Sequence, residues 1–350
     1  MILAGGTGGH VFPALAVARD FLQHGHQVYW MGTQTGLEAR IVPQNDIPID
    51  WLTVTGFRGK SVFKKILAPL ILLRACWQAA RILQRRKPDI VLGLGGFVSG
   101  PGGLVAWLMR IPLVIHEQNK IPGTTNRILI KFANKVLEAF PASFEPSVGA
   151  VFTGNPVREE IASLQEKSHK PLDRTLRILI MGGSQGAQVL NEVVPKALAS
   201  IDCEIEVLHQ TGQAMCQETI DQYLDLQMNA KVKPFIESMS EVYQWADVAI
   251  CRSGAMTISE LAAAGLPAVL VPFPHAIDDH QTHNAAYLVD SGAAILIPQA
   301  EFSVSRLSDL MTNMLSDKTS LTAMSRAAQD LAKPDAARVV ADICLQVAVA

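Results

Sequence analysis

The sequence is poor in the features that staple, tag or anchor a chain. Its five cysteines, Cys76, Cys203, Cys216, Cys251 and Cys344, are an odd number and form no C-x-x-C pair. That excludes a disulfide framework and a zinc ribbon, and it suits a reducing compartment. No apolar run approaches the ~20 residues needed to cross a bilayer. The most apolar, ILAPLILL from Ile66 to Leu73, is short by more than half. The first apolar segment begins at residue 2, so no leader is expected ahead of it. An excess of positive charge is also missing. With 30 basic and 32 acidic residues the formal charge is −2, which argues against nucleic acid as a partner.

Three nucleotide signatures are absent as well. A dinucleotide site needs G-x-G-x-x-G and an acid about 20 residues later for the ribose. Here Gly6 and Gly8 are followed by Val11, and the second apolar segment ends Met31-Gly32-Thr33 with no acid. A P-loop needs G-x-x-x-x-G-K-[ST]. Gly59-Lys60-Ser61 supplies its tail, but Val54 stands at the first glycine position. No D-x-D is present to hold a metal-bound diphosphate. A dehydrogenase and an NTPase are therefore disfavoured.

What is present is a repeated pattern. Short apolar runs alternate with longer helical ones, the mark of an α/β sheet covered on both faces. At 350 residues, two domains are expected rather than one core. "ILAGGTGGHVFPALAVARDFL" from Ile2 resembles "ILIMGGSQGAQVLNEVVPKAL" from Ile178. "DIVLGLGGFVSGPGGLVAWLMRIPLVIHEQ" from Asp89 echoes "DVAICRSGAMTISELAAAGLPAVLVPFPH" from Asp247. Two matched pairs in the same order point to two Rossmann-like domains joined near "TGNPVREEI", Thr153 to Ile161. The alternative is one large doubly wound sheet, although sheets of about ten strands tend to split. Ligands of such sheets sit at the carboxyl ends of the strands. A glycine turn opening a helix aims backbone N–H groups at an anion, and both "GGTGGH" and "GGSQG" have that form.

The motifs "GGTGGHVFPALAVA", "GGFVSGPGG", "HEQN", "GNPVR", "GGSQGA" and "CRSGAMTISELAAAGLPAVLVPFPH" together resemble the MurG family. These are the UDP-N-acetylglucosamine:lipid I N-acetylglucosaminyltransferases of bacterial peptidoglycan synthesis. The resemblance implies a GT-B fold, two Rossmann-like domains with parallel sheets facing across a cleft. Residues 1–155 would form the acceptor-binding and membrane-associating domain, and 156–334 the UDP-GlcNAc-binding domain. A last helix over 335–350 would return to the first domain. The implied reaction is an inverting transfer of GlcNAc to the muramyl 4-hydroxyl of lipid I, undecaprenyl-diphosphate-MurNAc-pentapeptide, to give lipid II. A UDP-GlcNAc 2-epimerase of the same fold and a non-catalytic nucleotide-sugar sensor are the alternatives.

Residue by residue, the resemblance places Thr7, Gly8 and Gly9 on the N-terminal side of the donor site with Asn119 nearby. Arg158 and Ser184 would approach the diphosphate. Ile236 would hold uracil through its backbone. The run Ala255, Met256, Thr257, Ile258, Ser259 and Glu260 would carry the nucleotide, with Glu260 on the ribose, and Gln281 would read the sugar. His116, Asn126, Asn191 and Arg252 match motif positions without an assigned role. Phe97 stands where the family often has tyrosine, so a phenol cannot be essential there.

Inversion needs a base for the acceptor hydroxyl and stabilisation of the departing UDP. His10, at a helix start whose dipole would keep it neutral, is the first candidate base, and Glu117 is its rival. The GGSQGA helix end and Arg158 would take the leaving charge, and no cofactor or metal is expected. Asp278, Asp279, His280 and His283 read either as a metal cluster or as a solvated, sugar-facing loop. One more absence is informative: no acid occurs between Lys60 and Lys87. Lys60, Lys64, Lys65, Arg74, Arg81, Arg85, Arg86 and Lys87 are interleaved there with Phe63, Ile66, Leu67, Leu70, Ile71, Leu73 and Trp77. A basic–apolar stretch of this kind fits an anionic membrane surface, and the family resemblance implies that this is the cytoplasmic face of the bacterial inner membrane. The other reading is a helix that packs on its sheet and turns its cations to water. Proteins of cell-wall synthesis are further implied partners.

Overall fold

The computed structural model describes residues 1–54, 68–164, 175–183 and 186–349. The chain forms two compact units, Met1–Arg158 with Lys333–Ala350, and Glu159–Ala332. The sequence reading had put the divisions at 155 and 334.

The first unit is built on β1 (Ile2–Leu3), β2 (Trp30–Gly32), β3 (Ile49–Trp51), β4 (Val91–Gly93), β5 (Leu113–Glu117), β6 (Lys135–Glu138) and β7 (Val151–Phe152). All pair in parallel, in the order β3-β2-β1-β4-β5-β6-β7. The order reverses direction at β1 and β4, which makes the carboxyl ends of those strands the expected ligand position. Side-chain alternation divides the core in two. Ile2, Leu92 and Val114 face the Gly8–Gln23 helix through Val11, Ala14, Leu15 and Ala18. Leu3, Val91, Leu113 and Ile115 face the opposite layer, where the Ala68–Arg86 helix contributes Ala75, Ala79, Ile82 and Leu83. The last helix, Ala336–Val349, joins the first layer through Val340, Ala341 and Cys344 and packs along Gly8–Gln23.

The second unit repeats the plan with β8 (Leu176–Met181), β9 (Ile205–Gln210), β10 (Ala230–Lys233), β11 (Val248–Cys251), β12 (Ala268–Leu270) and β13 (Ala294–Leu296). These are also parallel, in the order β10-β9-β8-β11-β12-β13. Its core gathers Ile178, Ile180, Val248, Ile250 and Val269 against Leu190 and Val194 of the Gln188–Ala199 helix. Among the described residues no helix is long and apolar enough to cross a membrane.

Candidate active site

In the first unit, two glycine turns meet at the carboxyl ends of β1 and β4. A Cβ on Gly96 would lie 2.5 Å from the Gly5 carbonyl oxygen, so only glycine permits this approach. Ser99 Oγ ties the turns further, donating to the Leu3 carbonyl at 2.9 Å and the Gly95 carbonyl at 2.7 Å. Two helix N-termini, at Gly8 and Gly96, therefore start from adjoining turns. Thr7 is exposed, and Gly8 and Gly9 are half-buried at the first of these starts.

The first turn is held from beneath by a residue that the motif reading missed. Glu38 is fully buried and accepts from Gly6 N–H at 2.9 Å, Thr33 N–H at 2.9 Å and Thr33 Oγ1 at 2.7 Å. The acid follows β2 as a dinucleotide-site acid would, but it is turned inward onto the loop. Its position in "GLEAR", just beyond a strand end, was the available signal.

His10 is half-buried on this platform. Its Nδ1 lies 3.5 Å from Thr7 Oγ1, and its ring rests on Gly95, where an added Cβ would be 3.0 Å from Nε2. Burial holds its pKa below the ordinary histidine value, while the Glu117 and Glu38 carboxylates pull the other way. The sequence reading credited the helix dipole with keeping this ring neutral. Desolvation acts in the same direction.

Glu117 is placed differently from a base. It is 2% exposed, and both oxygens are occupied by its own loop. Oε1 accepts from Asn119 N–H at 3.0 Å and Asn119 Nδ2 at 3.3 Å, and Oε2 from Gly123 N–H and Asn126 Nδ2, both at 2.9 Å. Glu117 thus organises the HEQN loop, and Asn119 and Asn126 are two of its ligands. His116 is fully buried with Nε2 3.0 Å from the Gly154 carbonyl; burial lowers its pKa to about 4, so it donates there as a neutral ring. Gln118 Nε2 completes that chain at His116 Nδ1, 3.0 Å away. Arg158 lies over the Phe12 ring, 5.6 Å from its centroid, beside the Gly8 turn.

In the second unit the corresponding turn follows β8. Gly183 and Gly186 have φ of +84° and +76°, and a Cβ on Gly186 would collide with the Thr211 carbonyl. Ser184 lies outside the described residues, as do Lys60, Phe63, Lys64, Lys65, Ile66 and Leu67 of the basic–apolar stretch. Asn191, on the helix after the turn, donates to the Thr211 carbonyl at 3.2 Å and meets His209 Nε2 at 3.1 Å. Ile236 is buried and donates its backbone N–H to Gln210 Oε1 at 3.0 Å.

The Ala255–Ala263 helix starts from Gly254 at the end of β11, and its first turn presents the backbone N–H groups of Ala255, Met256 and Thr257. Ile258 is fully buried, and Ser259 Oγ returns to the Ala255 carbonyl at 3.1 Å. These two seat the helix, so either would meet a ligand through backbone rather than through a pointed side chain. Glu260 is 8% exposed, and its Oε2 accepts from Tyr243 OH at 2.9 Å, which fixes the carboxylate's rotamer. Arg252 is scaffolding: it donates to the Val271 and Pro272 carbonyls at 2.9 and 3.0 Å and to Gln299 at 2.7 Å. Gln281 Oε1 accepts from Phe273 N–H at 2.9 Å, holding the loop before its own helix. Asp279 accepts from Thr282 Oγ1 at 2.8 Å at the start of that helix. Among the described residues no three His, Cys, Asp or Glu side chains gather as a metal site.

Outside these turns, the Ala68–Arg86 helix is apolar on two faces. Leu70, Leu73 and Trp77 are 64%, 66% and 60% exposed, opposite the buried Ala75, Ala79 and Ile82. Arg81 lies over Trp77, 4.9 Å from its centroid. Arg85 and Arg86, read from sequence as solvent or lipid cations, are instead paired. Both grip Asp50 of β3, Arg86 through Nε at 2.8 Å.

Residues 1–138 match the glycosyltransferase family 28 N-terminal domain, and 177–340 the family 28 C-terminal domain. A protein of Methylococcus capsulatus is 59% identical over 347 residues, spanning 99% of this chain and 98% of its own length. It bears the name UDP-N-acetylglucosamine–N-acetylmuramyl-(pentapeptide) pyrophosphoryl-undecaprenol N-acetylglucosamine transferase. The chain belongs to the MurG family. The crystal structure of MurG from Acinetobacter baumannii superposes with a TM-score of 0.86 at 41% identity, covering 99% of both chains. The MurG architecture is GT-B, two parallel-sheet α/β domains, as the sequence reading expected. A UDP-GlcNAc 2-epimerase from Neisseria meningitidis, at 14% identity and a TM-score of 0.70 over 99% of this chain and 98% of its own, shares the fold alone.

Proposed function

We propose that the chain is an inverting hexosyltransferase that moves GlcNAc from UDP-GlcNAc to the muramyl 4-hydroxyl of lipid I, giving lipid II for peptidoglycan. The carrying observation is the 59% identity, over nearly the full length of both chains, to a transferase named for that reaction. The geometry of each unit supports it. Each carries a glycine turn and helix start at the carboxyl end of its sheet, suited to phosphate.

In this reading the second unit binds UDP. Ile236 holds uracil by its backbone, Glu260 the ribose, and the glycine turn after β8 the diphosphate. Gln281 reads the sugar. His10 takes the proton of the attacking hydroxyl, because it is a half-buried neutral ring at the helix start while the Glu117 oxygens are spent on the HEQN loop. The leaving UDP is stabilised by backbone N–H groups at the helix starts of the second unit, so that no metal is required.

The first unit takes lipid I and docks at the cytoplasmic face of the inner membrane. Arg74 and Arg81, with Leu70, Leu73 and Trp77, are its described contact residues. The deciding experiment is transfer of radiolabel from UDP-GlcNAc to a lipid I analogue. UDP released at the same rate without acceptor, and no labelled product, would point to the epimerase class instead.

A further inference from the structure

Gln118, just beyond β5, is 1% exposed, and its buried Oε1 accepts no hydrogen bond. The amide cannot turn over to relieve this. Nε2 donates to His116 Nδ1 and to the His116 carbonyl, both at 3.0 Å. His116 Nε2–H is committed to the Gly154 carbonyl at 3.0 Å, so Nδ1 carries the lone pair and needs a donor. The relay therefore runs one way, from Gln118 to His116 to Gly154, and leaves Oε1 empty at its head. A buried acceptor without a donor is costly and calls for a partner. Beside it is His10. A Cβ on Gly95, whose φ is +94°, would lie 3.7 Å from Gln118 Oε1 and 3.0 Å from His10 Nε2, so the bare glycine is what lets ring and amide come near each other. Among the described residues the ring makes one hydrogen-bond contact, Nδ1 to Thr7 Oγ1, at a loose 3.5 Å.

We propose that Gln118 is a positioning residue for the base: its Oε1 takes the Nε2–H of His10, which fixes the tautomer whose lone pair is on Nδ1, beside Thr7. The inference rests on the reading of His10 as the base. The hydrogen bond made by one ring nitrogen decides which tautomer the other presents, and an amide carbonyl can only accept. The transfer then balances on Nδ1. As the 4-hydroxyl oxygen bonds to the anomeric carbon, its proton passes to Nδ1, and the electron pair of the breaking bond leaves with UDP. The ring becomes charged with an N–H on each nitrogen, and its bond to Oε1 strengthens as that charge appears. The charged groups that act on the ring are Glu117 at the end of β5 and Glu38 beyond β2, while Arg158 stands over Phe12 on the same helix. Substituting Gln118 leaves all three in place.

The test is NMR of the full chain with its histidines labelled at the ring nitrogens, His10→Ala serving to assign the His10 signals. In wild type, the neutral ring should carry its proton on Nε2. A proton on Nδ1 overturns the proposal without any variant. Q118M keeps the length of the side chain and removes the amide. In it His10 should lose its single tautomer, and kcat should fall about 10–100-fold, the worth of a hydrogen bond to a charged ring, with KM for UDP-GlcNAc changed little. The acid limb of its kcat–pH profile should also move to lower pH, because the charged ring has lost an acceptor. A merely structural role would lower kcat in Q118M and leave the tautomer and the acid limb where they were, and that result overturns the proposal. If Q118M does not fold, the wild-type tautomer decides alone. Near-normal turnover in His10→Ala would sink the base assignment itself rather than the part given to Gln118.

Discussion

Asn126 donates its side-chain amide to Glu117 Oε2 at 2.9 Å, closing a ring of donors around a carboxylate that is almost wholly buried. An acid so surrounded holds a loop in shape and has no lone pair to spare for a substrate proton. Glu117→Gln would turn an N–H₂ group toward donors and should destabilise the first unit by ~3 kcal/mol, read from chemical denaturation. His10→Ala should leave stability nearly unchanged and lower kcat by about 10²–10⁴-fold, with KM for UDP-GlcNAc changed little. Near-normal turnover in His10→Ala would return the base role to Glu117.

Glu260 and Tyr243 form a second such pair. The phenol holds the carboxylate at 2.9 Å in one rotamer. Glu260→Ala should weaken UDP binding by roughly 1.5–3 kcal/mol, the worth of a charge-assisted hydrogen bond. Tyr243→Phe should cost about 1 kcal/mol, since the carboxylate remains but is no longer fixed. Calorimetric titration with UDP separates the two, and an unchanged Kd in Glu260→Ala would place the ribose elsewhere.

Two buried histidines make stability depend on pH. Burial lowers His116 to about 4 and His209 to about 3 in the folded protein, from an ordinary 6.5. The unfolded chain therefore takes up protons first as pH falls, and stability is lost from about pH 6.5 downward until the folded values are reached. Between pH 7 and pH 5 each should cost its unit about 2 kcal/mol. Urea unfolding that is equally cooperative and equally stable at both pH values would show that these rings charge without penalty.

Activity should follow a related but separate curve. His10 is also held below the ordinary value of 6.5, and a base must be neutral to act. Turnover should therefore hold as pH drops through that value and fail only below it. Transfer should likewise persist in excess EDTA, since in the proposed reading backbone N–H groups at helix starts take the leaving charge. Loss of activity with chelator, restored by a divalent ion, would bring Asp278 and Asp279 back as ligands.

The paired motifs were enough to foresee two parallel sheets, because a glycine turn between an apolar strand and a helix is a local pattern. Partnerships across the sheet were not legible in that way. Glu38 reaches Gly6 only because β1 and β2 are neighbours, and their separation of 32 residues hides the contact. Gln210 looks like the polar end of a strand until sheet order brings Gly183 and Ile236 to either side of it. Arg85 and Arg86 looked like two more cations in an acid-free stretch. Their acid, Asp50, is supplied from β3, upstream of that stretch.

That pairing changes how membrane docking has to be tested. Reversing Arg86 would leave Asp50, which is 7% exposed, facing a like charge, and the sheet edge would suffer before any lipid was involved. The informative positions are Arg74 and Arg81, exposed on the helix that also exposes Leu70, Leu73 and Trp77. Each cation close to an anionic surface contributes about 1 kcal/mol, so Arg74→Glu with Arg81→Glu should weaken sedimentation with anionic vesicles by roughly 30-fold. Trp77→Ser with Leu73→Ser should weaken it by a route that salt does not mimic, since apolar insertion is unscreened. Neither pair should alter turnover on a short-chain, water-soluble acceptor, because all four side chains are exposed and hold no part of the glycine turns in place. Vesicle binding as tight as wild type in both double variants would make this face a solvated helix surface and leave the lipid-bound acceptor to be met elsewhere.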